Sequence, residues 1–240
     1  MWQHFDFNEL TSTNDLALAL SGSAAGQKLA ITAVRQTGGR GRRGRSWVCL
    51  EGNLFLSLAI PFAAEQSAAL VLASSLALLE AVKSLDQNAD VVLKWPNDVL
   101  LNGGKISGIL LEKGDAGYMI IGIGVNIKAA PAGGTLYPTT SLDAAGINID
   151  REEFKEIYLR CFDALMSLWS EQGMKVLVEK WQKHAKGIGQ NITVRLPKIT
   201  KTGVFTGLND EGMLILQTPA GCEVIGAGDV FFDDESKKEE

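Results

Sequence analysis

Cysteine and histidine are scarce in this sequence. Its three cysteines, Cys49, Cys161 and Cys222, lie far apart, and their odd number excludes a fully paired disulfide framework. Only His4 and His184 accompany them, so no Cys/His cluster with metal-ligand spacing can be drawn. A reduced, cytoplasmic setting is the simplest expectation. The opening MWQHFDFNEL lacks a basic lead followed by an apolar core, which argues against a signal peptide. The most apolar stretch, Ser67 to Leu85, is broken by Ser74 and Ser75 and carries Glu80 and Lys83, so no membrane span is expected. There is no internal repeat. The one biased tract is the terminal DDESKKEE, read as a solvated end with a charged tail over residues 235–240.

What is present has the composition of a soluble globular protein. The 240 residues are 46% hydrophobic and 21% charged, which suits one large domain or one domain with a small appendage. The net charge of −5, from 23 basic and 28 acidic residues, argues against a general nucleic-acid binder. The distribution of arginine says more: five of the eight arginines fall between Arg35 and Arg45. An acidic protein that gathers its arginines in one Gly-rich loop is built to hold a small anion there.

The sequence pattern predicts a hydroxyl-capped helix starting at Thr11-Ser12-Thr13-Asn14-Asp15 and running through Leu16 to Leu20. It predicts strands over 29–34 and 53–60, a long helix over 66–85, and a strand over 91–95 stopped by Pro96. The runs 99–101 and 106–111 flank Asn102-Gly103, a type I′ hairpin signal. An apolar strand follows over 118–127, then helices over 151–169 and 174–184. After Lys186 the texture changes to short β-like runs at 192–196, 202–208, 213–217 and 223–226, separated by turn signals. The expectation is a mixed α/β body joined near residue 187 to a small barrel.

The loop Gln36-Thr37-Gly38-Gly39-Arg40-Gly41-Arg42-Arg43-Gly44-Arg45-Ser46-Trp47 is the most informative stretch. Its glycines satisfy GxGxxG at Gly39, Gly41 and Gly44. A dinucleotide-binding turn must lead into a helix, and this one leads toward strand-like sequence. No HRD or DFG sequence supports a kinase. Glycines let backbone N–H groups approach a phosphate, and arginines supply forked donors. So charged a loop repels itself and is expected to be mobile until an anion arrives. On the residues alone, polynucleotide contact or a merely solvated basic turn stays open. Trp47 could stack on a flat base.

Lys94-Trp95-Pro96-Asn97-Asp98 ends a strand, and Asn97 and Asp98 either face a cleft or make a turn. Lys105 follows the Asn102-Gly103-Gly104 turn without the spacing of a phosphate-loop lysine. Asn126 closes Gly122-Ile123-Gly124-Val125, where an amide caps a sheet or reads a base edge. Ser12 and Thr13 read as plain N-caps.

Taken in order, Ser12-Thr13-Asn14, GRGRRGRSW at 39–47, KWPND at 94–98, GGKISGILLE at 103–112 and GIGVN at 122–126 resemble the biotin protein ligase family. The resemblance covers most of residues 8–130. It implies an α+β fold, a mixed β-sheet with flanking helices of the class II aminoacyl-tRNA synthetase/biotin ligase kind. A small C-terminal SH3-like β-barrel is implied over 188–234, after a catalytic domain over 1–187. The implied activity forms biotinyl-5′-AMP from biotin and ATP with Mg²⁺, then transfers biotin to a lysine of a biotin carboxyl carrier domain, usually that of acetyl-CoA carboxylase. By the same resemblance, Ser12, Thr13, Asn14, Gln36 and Gly39, with backbone at Arg40 and Gly108, would hold biotin. Lys105, Arg40 and Arg42 would be the catalytic cations. Arg40, Arg42, Arg45, Trp47, Asn97, Lys105 and Asn126 would hold ATP and the adenylate. Asp98 would meet Mg²⁺ through the phosphates. The family's repressor members carry an N-terminal helix-turn-helix domain; here Ser12-Thr13-Asn14 stands a few residues from Met1, so a monofunctional ligase that binds no DNA is expected. A homodimer is compatible with the resemblance. A lipoate or octanoate transferase of the same superfamily is the competing enzyme, and a nucleic-acid module using Arg35 to Arg45 is the competing class.

Overall fold

The computed structural model describes residues 1–135 and 137–232. The charged tail expected over 235–240 therefore lies outside the described residues. The first sheet has seven strands: β1 (Trp2–Leu10), β2 (Lys28–Gln36), β3 (Leu54–Pro61), β4 (Val91–Lys94), β5 (Asp98–Leu101), β6 (Gly104–Lys113) and β7 (Tyr118–Val125). Their order is β1-β2-β3-β7-β6-β5-β4. Only β1 and β2 run parallel. Asn102 and Gly103 both take positive φ, at 50° and 78°, as a type I′ turn between β5 and β6 requires.

Strand alternation gives the sheet two different faces. Leu54, Leu56, Leu58 and Ile60 of β3, with Ile121, Ile123 and Val125 of β7, meet the helix α2 (Ser67–Leu85). Helices α3 (Arg151–Gln172) and α4 (Met174–Gln182) cover α2 in turn. By length and apolarity the Ala64–Leu85 stretch would suffice to cross a membrane; here 67% of its most apolar window is buried against the sheet and its helical neighbours. The opposite face carries Ala59, Tyr118 and Ile120 under α1 (Thr13–Ser21). Further along that face β7 offers Gly122 and Gly124, and β3 offers Ser57 and Phe55. Register aligns them: Ser57 pairs with Gly122, and Gly124 pairs with both Phe55 and Gly108. Large residues thus anchor the helix, and glycines clear the sheet beside it.

The second sheet comprises β8 (Asn191–Arg195), β9 (Thr200–Leu208), β10 (Leu214–Thr218), β11 (Gly221–Ile225) and β12 (Asp229–Phe232). Its order is β11-β10-β9-β8-β12. The closed barrel expected from sequence is corrected: β11 and β12 end opposite edges of an open sheet and do not pair among the described residues. The short link over 226–228 carries the chain across to β8 instead of along β11. Ile192, Val194, Phe205, Leu208, Leu214 and Leu216 join the same apolar cluster as α2 and α4. The polypeptide changes texture at Gly187 and Gly189, both with positive φ, without a break in the core.

Candidate active site

The cleared face of the sheet floors a cavity of about 410 Å³. Its wall draws on the start of α1, the end of β2, the arginine loop, the β4–β5 turn, β6, β7, residues 131–135 and 137–139, and the start of β12. Of the residues singled out from sequence, Ser12, Thr13, Asn14, Gln36, Arg40, Arg42, Arg45, Trp47, Asn97, Asp98, Lys105, Gly108 and Asn126 all line it. Gly39 does not. It packs behind the wall, where a Cβ would stand 2.9 Å from both Cys49 Sγ and the Trp47 carbonyl oxygen.

One end of the cavity is neutral and polar. Ser12 caps α1 by accepting from the Asp15 amide at 3.4 Å. Gln36 Oε1 accepts from the Thr13 amide at 2.7 Å and from its hydroxyl at 3.0 Å. Ser57 Oγ lies 2.7 Å from Thr13 Oγ1 and also bonds Asn14 Oδ1. Asn14 Nδ2 donates to Glu112 at 2.6 Å. A Cβ on Gly122 would lie 2.4 Å from Asn14 Oδ1, so only glycine admits that amide. Ser12, Thr13, Asn14 and Ser57 are all buried, and this network satisfies them.

The other end is cationic. The loop folds back on itself through bonds from the Gly41 amide to the Arg45 carbonyl (2.6 Å) and from the Trp47 amide to the Gly39 carbonyl (2.9 Å). Arg43 and Gly44 turn it with φ of 56° and 75°. The indole of Trp47 lies across the paired glycines: a Cβ on Gly124 would meet Cε2 at 2.4 Å, and one on Gly108 would meet Cζ3 at 3.0 Å. Trp47 Nε1 is buried and unpaired there. Lys105 Nζ stands 2.6 Å from Asp98 Oδ1 and 5.6 Å from the Trp47 ring centroid.

The expectation of a self-repelling loop meets a different solution, because each guanidinium finds an acceptor within the protein. Arg40 reaches Asp15 and Glu112, and the hydrogen bond to Asp15 is the main cause holding its guanidinium above the ordinary arginine pKa. Arg42 donates to Asn97 Oδ1 at 2.8 Å and to the Gly228 carbonyl at 3.4 Å, and burial pushes its pKa down. Arg43 and Arg45 share Asp229, each at 2.8 Å. The second sheet therefore anchors the loop.

The two asparagines are committed to backbone and loop. Asn97 Nδ2 donates to the Ile109 carbonyl at 2.5 Å, and its oxygen takes Arg42. Asn126 Nδ2 donates to the Lys105 and Thr140 carbonyls at 3.4 and 3.2 Å, so it staples the strand that carries Lys105. Lys94, Tyr137, Thr139 and Asp229 also line the cavity, and Ser57, Asp15 and Glu112 support it. None of these was singled out from sequence. Lys94 stood inside a recognised run, and its Nζ lies 3.2 Å from the Tyr137 ring centroid. Asp15 and Glu112 also ended quoted runs without being assigned a task, and Tyr137, Thr139, Asp229 and Ser57 reach the site only through tertiary folding. Among the described residues no three His, Cys, Asp or Glu side chains group as a metal site.

The glycine-floored cavity with a polar end and a cationic rim belongs to a known class. Residues 6–126 match the Biotin/lipoate A/B protein ligase family, and residues 187–233 match the Biotin protein ligase C terminal domain. The chain belongs to this biotin and lipoate protein ligase family. It is 36% identical over 233 residues to the biotin--[acetyl-CoA-carboxylase] ligase of Paracoccus denitrificans, covering 92% of this chain and 97% of that protein. It is 33% identical to the bifunctional ligase/repressor BirA of Bacillus subtilis, over 96% of this chain and 74% of that one. Among solved structures, the biotin protein ligase of Aquifex aeolicus in complex with biotin and ATP superposes with a TM-score of 0.81 at 28% identity, covering 95% of this chain and 97% of that one.

Proposed function

We propose that this chain is a biotin protein ligase, which joins biotin to AMP using ATP and passes the biotinyl group to a lysine of a carrier domain. One observation carries the reading: a single cavity holds a buried hydroxyl-and-amide end beside a rim of Lys105 and loop arginines. A ureido ring needs the first, and a carboxylate meeting a polyphosphate needs the second. The relatives that match over nearly the whole chain bear the same activity in their names.

In the first step a biotin carboxylate oxygen attacks the α-phosphorus of ATP. A new P–O bond forms, the bond to the bridging oxygen breaks, and pyrophosphate leaves with the electron pair. Two anions must approach, so their repulsion must be cancelled. Lys105 does this in our reading, exchanging Asp98 for the ligand. Arg40, Arg42 and Arg45 extend the positive field over the phosphates. Ser12, Thr13, Asn14 and Gln36, with backbone at Arg40 and Gly108, hold the biotin ring; Gly39 shapes the loop from behind. Trp47 packs on adenine, with Asn97 and Asn126 fixing the walls beside it. In the second step a neutral lysine amine attacks the acyl carbon and AMP departs. Positioning supplies most of that rate, and a dry site protects the anhydride.

Magnesium fits this site as the partner of the nucleotide's phosphates, where it would supply further charge neutralisation. Two carboxylates line the cavity, Asp98 on Lys105 and Asp229 on Arg43 and Arg45; Asp98 would be the ion's one protein ligand, which suits an ion that keeps waters and substrate oxygens. We assign catalysis to residues 1–187 and a supporting C-terminal unit to 188–234, of which 233–234 lie outside the described residues. The acceptor is the carrier domain of a biotin-dependent carboxylase such as acetyl-CoA carboxylase, and the three free thiols suit a reducing cytoplasm.

The nucleic-acid reading is not favoured, because the loop guanidiniums turn onto protein oxygens. Pyrophosphate–ATP exchange measured with biotin, lipoate and octanoate in turn tests the proposal. Exchange with biotin alone is expected. Exchange with lipoate or octanoate alone would move the chain to the other branch of the family, and no exchange with any acid would end the ligase reading.

A further inference from the structure

Glu112 stands near the end of β6, just past the cavity-lining Leu110, and its carboxylate receives two partners of different origin. Asn14 Nδ2 donates to Oε2 at 2.6 Å. Arg40 Nη2 donates to Oε2 at 3.1 Å and to Oε1 at 3.2 Å. A carboxylate only accepts, so it dictates which way the Asn14 amide faces. With Nδ2 turned to Glu112, Oδ1 must face Ser57, whose Oγ also lies against Thr13. Thr13 in turn holds Gln36. One carboxylate thus orients a polar chain of four residues, Asn14, Ser57, Thr13 and Gln36, at the neutral end of the cavity. Through Arg40 it also grips the first arginine of the loop. Arg42, Arg43 and Arg45 point the other way, to Asn97 and the second sheet.

We infer that Glu112 is a positioning residue that couples occupancy of the biotin end to closure of the arginine loop. The inference rests on the function proposed above and adds to it a route. A ligand that fixes Thr13 and Asn14 fixes the Glu112 carboxylate, which fixes Arg40 and with it the loop backbone. The nucleotide also engages the loop through Arg42 and Arg45, which Glu112 does not touch, so it depends on this route only in part. Glu112 touches no reacting atom. Its effect falls on biotin and on the loop's response to biotin.

The test compares wild type with Glu112→Gln, which keeps length and can still accept from Asn14 while losing one of the two carboxylate charges on Arg40, the other being Asp15. In pyrophosphate exchange, KM for biotin is expected to rise about five- to tenfold, the size of a partly exposed charged hydrogen bond. KM for ATP at saturating biotin rises less than KM for biotin, since Arg42 and Arg45 keep their contacts. Tryptic cleavage at Arg42, Arg43 and Arg45 gives a readout independent of turnover. Biotin alone protects these bonds in wild type and fails to protect them in Glu112→Gln, while biotin with ATP protects both. Glu112→Asp retains the charge and restores part of the biotin effect. Equal protection by biotin alone in both proteins overturns the inference, as does a parallel rise in both KM values. A lowered melting temperature with wild-type KM values would also overturn it, by reducing Glu112 to a structural contact. Absence of biotin-dependent exchange in wild type would instead mark failure of the proposed function.

Discussion

Replacing Asp229 by asparagine should release the arginine loop without unfolding the protein. The carboxylate accepts from Arg43 at 2.8 Å and from Arg45 at 2.8 Å, one oxygen each. Asn keeps the shape but presents one acceptor and one N–H₂ group. The amide nitrogen would face a guanidinium, so one bond is lost and the other keeps a charged donor but loses its charged acceptor. Charge-assisted hydrogen bonds are about twice as strong as neutral ones. The arginine side chains are 32% and 40% exposed, which screens the pair and discounts the loss. Together these give about 1–2 kcal/mol on loop docking. That corresponds to about a 5- to 30-fold larger detached population, since 1.4 kcal/mol is tenfold. Trypsin reads this directly: where opening is fast, cleavage tracks the open fraction. Cleavage at Arg42, Arg43 and Arg45 should accelerate by that factor, with the melting temperature nearly unchanged. Wild-type cleavage rates in Asp229→Asn would refute the claim that the second sheet anchors the loop.

Lys105→Gln should slow biotin-dependent exchange by about a hundredfold or more, the effect of removing one charge-stabilising donor, and leave a folded protein by circular dichroism. Exchange at wild-type rate would remove Lys105 from the chemistry. Gly124→Ala places a methyl 2.4 Å from Trp47 Cε2, so the indole must lift from its shelf. Ligand affinity by calorimetry should fall about tenfold or more, given a packing conflict of about 1–3 kcal/mol. Unchanged affinity would show that the glycine shelf is no part of the ligand site. Burial raises the thiol pKa of Cys49 and of Cys161, so each carries less thiolate at a given pH than an unshifted thiol. Exposed Cys222 should therefore alkylate first when modification is followed by mass spectrometry. Prior reaction at Cys49 would contradict that ordering.

Elements with strong local chemistry were legible from sequence. The Ser12 cap, the Asn102-Gly103 hairpin and the long apolar helix appear where their residues predict them, because each is decided within a few neighbours. Strand β1 was not read. As an edge strand largely open to solvent, it has no alternating apolar pattern to betray it. Strand β12 is four residues long and pairs with β8, more than thirty positions earlier. The candidate site follows the same division. Residues carried by recognisable runs converge on one cavity, whereas Asp229, Tyr137 and Ser57 had no signal of their own. Glu112 closed a recognised run, yet its task depends on Asn14 and Arg40 arriving from distant segments. Gly39 was placed on the wall by its neighbourhood and lies behind it, because the loop's return strand passes against its missing side chain. That the second sheet stays open was likewise beyond reach of composition, since it turns on where one short link delivers a strand.

The central claim is that this cavity joins biotin to AMP. Incubating stoichiometric protein with biotin, ATP and magnesium in the absence of any carrier, then analysing the native complex by mass spectrometry, addresses it most directly. One biotinyl-5′-AMP bound per chain is expected, with one pyrophosphate released for each. Release of ADP and phosphate, or AMP formation that proceeds equally without biotin, would contradict it.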